Sequence, residues 1–137
     1  MTRFSFWRPA LAAYFDSVKD REFAWGTHDC ALFSAGGVEA MTGIDFAAGY
    51  RGRYSSLAGG LRLLRAEGFA THADLAAKHF AEIHPSQAQV GDIAAIRADD
   101  AGLYALGLVQ GARILFLSVE GGIGSSDLLS AERAFRI

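Results

Sequence analysis

The apolar rhythm of this chain changes at His84-Pro85, and that change orders its elements. Before it, apolar residues recur at helical spacing; after it, they fall in short runs broken by turn residues. Leu11, Tyr14, Phe15 and Val18 stand at i, i+3, i+4 and i+7, one stripe of a first helix in which Pro9 suits the first position. A second helix is expected from Asp29 or Cys30 to about Met41, with Asp29 as N-cap and Thr42-Gly43 as its stop. Gly36 and Gly37 inside it each cost about 1 kcal/mol relative to Ala. Such a pair predicts the close approach of another backbone, and hence a central, buried helix. A third helix runs from about Leu57 to Glu67, closed by Gly68. A fourth opens on Thr71, with Asp74 placed as in a capping box and Leu75, His79 and Phe80 facing inward.

After His84-Pro85, Asp92 to Arg97, Tyr104 to Val109 and Arg113 to Val119 read as strands of an antiparallel meander. Asp99-Asp100-Ala101-Gly102 and Gln110-Gly111 separate them, and Phe135-Arg136-Ile137 finishes the sheet. Helices followed by strands predict an α+β domain, N-terminal helices packed on a small antiparallel β-sheet, rather than a βαβ wind. At 137 residues and 51% apolar, the chain is expected to form one domain over residues 1–137. Gly121 to Ser126 invites a phosphate-loop reading, but no Lys follows and a tight turn explains it better.

Thirteen Lys and Arg against fifteen Asp and Glu give a net charge of −2, which creates no global field for nucleic acid or anionic lipid. Arg3, Arg8 and Asp16 interrupt the apolar residues at the start, and Gly102 to Ala112 falls well short of the roughly 20 residues of a membrane span. A soluble protein, cytoplasmic when made, is expected, with no nucleic-acid and no membrane partner. The single cysteine, Cys30, allows no internal disulfide and no multi-cysteine zinc site. No metal and no cofactor are expected.

The chemistry concentrates in Trp25-Gly26-Thr27-His28-Asp29-Cys30, followed by Phe33. A cysteine in the first turn of a helix meets the positive end of the dipole and unpaired backbone N–H groups, which lower its pKa below the free value of about 8.5. The same groups can hold an oxyanion formed when the sulfur attacks a carbonyl. Asp29 opposes this, because a nearby negative charge disfavours thiolate. The plainer reading makes Cys30 a small buried apolar residue.

Trp25-Gly26 with Asp29-Cys30 and Phe33 resembles the nucleophile segment of the NlpC/P60 superfamily, cysteine peptidases and amidases of papain-like fold. Val90-Gly91-Asp92-Ile93-Ala94-Ala95-Ile96 is similar to that family's Gly-Asp entry into its first core strand. Leu106 to Gly111 and Arg113 to Val119 are similar to the next two strands. The resemblance covers about residues 10 to 120. It is nearest to a branch found with phages, prophages and gene-transfer-agent-like clusters, which implies phage-tail or virion-like partners, virion association, or a cell-wall peptidoglycan peptide as ligand. It also implies a catalytic histidine where Ala105 stands, a polar residue near Leu115 to Leu117, and a tyrosine where Phe23 stands.

Acyl transfer needs a base to take the thiol proton and an acid for the leaving amine. His28, two residues before Cys30, is the first candidate. His72 and His79 on the fourth helix read as surface and core-edge residues, and His84 as a loop residue. Trp25 is a candidate substrate contact. Arg51 and Arg53, in Tyr50-Arg51-Gly52-Arg53-Tyr54, could bind a carboxylate, although a loop whose arginines stack or cap is the simpler reading. Two functions follow: a cysteine peptidase or amidase with Cys30 and His28, or an inert papain-like structural or binding module of a phage-type tail.

Overall fold

The computed structural model describes residues 2–98, 103–120 and 122–137, and four helices precede all six strands of the sheet in it. Helix α1 (Trp7–Val18) starts two residues before Pro9, which still lies in the first turn, where its missing N–H costs nothing. Leu11 and Val18 of its stripe are buried, and Tyr14 and Phe15 lean on the core. Helix α2 (Cys30–Thr42) has Asp29 as N-cap, its carboxylate accepting from Leu32 N–H at 3.0 Å. Gly43, at φ +80°, ends it in the left-handed conformation that glycine adopts without strain. Helix α3 (Leu57–Ala66) is capped by Ser56. Helix α4 (His72–His79) opens on a complete capping box between Thr71 and Asp74. On α4, Ala73 and Ala76 are the buried residues; His79 is solvent-exposed although its ring packs on Phe46 and Phe80, and Phe80, just past the end, is buried.

Six strands form one antiparallel sheet: β1 (Ala81–Ile83), β2 (Ile93–Arg97), β3 (Tyr104–Gln110), β4 (Arg113–Leu117), β5 (Ile123–Asp127) and β6 (Arg133–Arg136), in the order β1-β6-β2-β3-β4-β5. The expected meander is present as β2, β3 and β4, with Gly111 at φ +60° in the β3–β4 turn. The expected turn at 99–102 lies outside the described residues. Residues 123–126 belong to β5, not to a tight turn: Ile123 pairs with Leu117 and Ser126 with Ile114. The C-terminal strand does not simply follow the meander. It returns between β1 and β2, pairing Phe135 with Ile93 and with Glu82.

Helix α2 is central and buried, but side chains rather than a backbone fill the space above its glycines. A Cβ on Gly36 would lie 2.4 Å from the Tyr14 hydroxyl, which donates to the Phe33 carbonyl at 2.6 Å. One on Gly37 would lie 2.4 Å from a Leu108 methyl of β3. Gly36 therefore seats α1, and Gly37 seats the sheet. Leu108 and Gly37 are both buried, so the neighbour has little room to yield. Gly37→Ala is expected to cost about 1–3 kcal/mol, the usual range for overpacking, read as a lowered urea midpoint with an unchanged denaturant slope.

Candidate functional site around Cys30

The loop before α2 is built on the Asp29 carboxylate. It accepts from Leu32 N–H at 3.0 Å, Gly26 N–H at 3.0 Å and the Tyr54 hydroxyl at 2.5 Å, and Asp29 itself is almost wholly buried. Gly26 sits at φ +85°, and a Cβ there would fall 1.8 Å from the Tyr54 carbonyl oxygen, so no other residue fits. Gly26 also accepts from Gly52 N–H at 2.8 Å. The Tyr50–Tyr54 loop is thereby strapped across the Trp25-Gly26 turn. Phe23 and Trp25 pack edge to face, with ring centroids 4.8 Å apart.

These contacts aim Cys30 into a cavity of about 320 Å³ between α2, α3, α4 and the near half of β3. The cavity opens because the β3–β4 ladder starts only at Leu108–Leu115. Val109 N–H bonds the Asp92 carbonyl on the β2 side, and strand alternation therefore turns Leu106 N–H the other way, where β4 has diverged. That N–H lies at the thiol, joined by the N–H groups of Cys30 and Ala31. Burial nevertheless pushes the Cys30 thiol up to about 11, and the negative Asp29 adds to the shift; the three N–H groups only partly offset them. This corrects the depressed value expected from a helix N-terminus. The walls are why: Trp25, Phe46, Leu61, Leu75, Leu106 and Leu117 are apolar, and among the described residues no Lys or Arg lines the cavity.

The other sequence candidates are divided. Trp25 lines the Cys30 cavity, and so does Ala105. His28 is buried, its ring edge-on to Phe33, and it faces a separate pocket with Arg21, Glu39 and Arg51 on the other side of the first turn of α2. Burial lowers its pKa, and Arg21 lowers it further. Arg51 grips Asp45 through two hydrogen bonds of 2.8 and 3.2 Å. Arg53 donates to the Gly49 carbonyl at 2.7 Å and is exposed. Neither arginine lines the Cys30 cavity.

Two cavity residues had no signal at the sequence level. In the sequence Tyr54 stands only as part of a basic-aromatic cluster, and the pattern around His72 implies a surface residue. Both reach the Cys30 cavity through packing between segments distant in the chain. Among the described residues, no group of three His, Cys, Asp or Glu could hold a metal, and no helix is long and apolar enough to cross a membrane.

Two measurements check this geometry. With its thiolate population reduced at neutral pH, Cys30 should alkylate with iodoacetamide about tenfold or more slowly at pH 8 than a free cysteine. Its rate should keep rising with pH towards 11; a plateau near pH 7 contradicts the burial argument. Tyr54→Phe removes one of three donors from a buried carboxylate and should cost about 1.5–3 kcal/mol, measured by chemical denaturation.

No curated protein matches this chain. Its fold is similar to the crystal structure of the NlpC/p60 domain of peptidoglycan hydrolase SagA, with a TM-score of 0.55 and 16% identity over 94% of this chain and 97% of that one. At that identity the likeness concerns the fold, which is papain-like and of NlpC/P60 type. Residues 2–137 match the model of a family described as a domain of unknown function, DUF6950, and the chain belongs to that family.

Proposed function

We propose that this chain is an NlpC/P60-like cysteine hydrolase that opens amide bonds in cell-wall peptides, with Cys30 as its nucleophile. The observation that carries the reading is the Cys30 thiol at the N-terminus of α2, facing a cavity and met by the Cys30, Ala31 and Leu106 N–H groups. The fold's likeness to a peptidoglycan hydrolase domain supports the substrate class. When the sulfur adds to an amide carbonyl, negative charge passes to the carbonyl oxygen, and the backbone N–H groups at the thiol are the donors nearest to it. Trp25 forms the wall along which the peptide lies. The resting thiol is protonated, so its proton must be taken as the attack proceeds rather than beforehand.

A second reading has one observation in its favour. Ala105 lines the cavity at the place where the resemblance to the NlpC/P60 superfamily implies a histidine, and Leu115 to Leu117 offer no polar partner. On that reading the domain binds without cleaving, as a module of a phage-type tail assembly.

Digestion of purified peptidoglycan, followed by chromatography of the released fragments, separates the two. For the hydrolase, Cys30→Ala should lower fragment release at least about 10³-fold, in line with losses of a catalytic nucleophile. Equal release by wild type and Cys30→Ala overturns the assignment of Cys30. Release by neither, with activity appearing in Ala105→His, favours the binding module.

A further inference from the structure

We propose that His72, from helix α4, is the proton carrier for Cys30, serving as base in the attack and as acid towards the leaving amine. This rests on the reading of Cys30 as nucleophile and names a residue that neither the family resemblance nor the sequence pattern assigns. His72 is the first residue of α4, and the Thr71–Asp74 capping box fixes where that helix begins. Its ring lines the same cavity as Cys30 and Asp29. Nε2 is sealed from solvent and makes no hydrogen bond. A buried nitrogen left unpaired carries an uncompensated loss of hydration, which is relieved when a ligand in the cavity presents a partner.

The other ring nitrogen is left for the Tyr104 carbonyl, which lies beside the imidazole. A hydrogen on Nδ1, turned to that carbonyl, would leave the lone pair of Nε2 free, the tautomer a base requires. Burial lowers the pKa of His72, so the ring is neutral at physiological pH. Helix α4's own N-terminus acts in the same direction. Opposing them are Asp29 from the N-cap of α2 and Asp74 on α4, which favour the imidazolium. Asp74 is itself tied to Arg133 of β6 at 2.9 Å. From β3 the ring meets the Tyr104 carbonyl, and among the described residues the cavity's other titratable side chains besides Asp29 are Cys30, Tyr50, Tyr54, His79 and Tyr104.

The other histidines are worse placed. His79 also lines the cavity but lies seven residues on, about 10 Å further along the helix, exposed and packed on Phe46. His28 faces the other pocket, and His84 is held by Ser86 in an exposed turn.

In the step we assign, the Sγ proton passes to Nε2 through the reacting group as sulfur bonds to the acyl carbon. The C–N bond then breaks, its electron pair leaves with nitrogen, and the amine takes the proton from Nε2. Water opens the thioester: its proton goes to Nε2 and then to the departing sulfur, while hydroxide completes the carboxylic acid. One amide and one water become one acid and one amine.

The test is acylation of Cys30 by p-nitrophenyl acetate, whose leaving group needs no acid, followed by p-nitrophenol release and by intact mass. His72→Gln should slow acylation by about 10²–10⁴-fold. The wild-type rate should fall as pH drops through a histidine pKa below its ordinary value, and the variant should lose that limb. In His72→Ala, added imidazole should restore part of the rate, which a purely structural role would not allow. His72→Gln acylating at the wild-type rate with the wild-type pH profile overturns the proposal. So does a loss that falls on His28→Gln or His79→Gln instead. If the acyl mass never appears on Cys30 in wild type, the nucleophile itself is wrong and His72 loses its role with it. Thermal unfolding of each variant separates a lost rate from a lost fold.

Discussion

One buried carboxylate organises the site. Asp29 holds the first turn of α2, the Trp25-Gly26 turn and the Tyr54 loop together through three donors. Charge-assisted hydrogen bonds of this kind are roughly twice as strong as neutral ones. They also explain why Gly26 takes a positive φ: the turn must bring its N–H onto the carboxylate while passing under the Tyr54 carbonyl. The same charge raises the pKa of the neighbouring thiol. The device that positions Cys30 therefore works against its ionisation.

A second carboxylate does for the sheet what Asp29 does for the helix. Asp92, buried at the entry to β2, accepts from Gln89 N–H at 2.9 Å, Arg3 at 3.0 Å and Ile137 N–H at 3.0 Å. It joins both ends of the described chain to the start of the central strand. Arg3 also donates to the Val90 carbonyl and lies over the Trp7 ring. With β6 locked between β1 and β2, the sheet is anchored on that side. On the other side of β2, the first half of β3 has no β4 partner, and the cavity occupies that place.

What the sequence makes legible is what short-range chemistry decides. Asp29, the Thr71–Asp74 pair and Gly43 mark helix ends because their partners lie within four residues. The Gly36-Gly37 pair signals close contact, but whether a backbone or the side chains of Tyr14 and Leu108 supply it depends on packing. Strand β5 is hidden because Gly122 and Gly124 look like turn residues; Gly124 in fact makes room for the Phe116 ring, 3.0 Å from where its Cβ would lie. Strand β1 is three residues long, and its partner β6 lies fifty residues away. The site divides in the same way. Cys30 and Trp25 are local signals, whereas Tyr54 and His72 reach the cavity only once α3 and α4 have folded over it.

The shifts of Cys30 and His72 have one leading cause. An apolar cavity disfavours charge of either sign, so burial raises the thiol and lowers the imidazole. A resting thiolate–imidazolium pair would need both shifts reversed, and a neutral pair is what such walls hold. In the proposed reaction, charge arises only while a bond is forming, where backbone N–H groups can meet the oxyanion and the fields of Asp29 and Asp74 can meet the imidazolium. Among the described residues, the one carboxylate lining the cavity is already engaged by three donors and no cation stands there. A charged terminus or side chain would lose its hydration on entering without gaining a partner. On the proposed hydrolase reading, a peptide reaches Cys30 through an uncharged stretch, with its charged groups left outside the apolar walls.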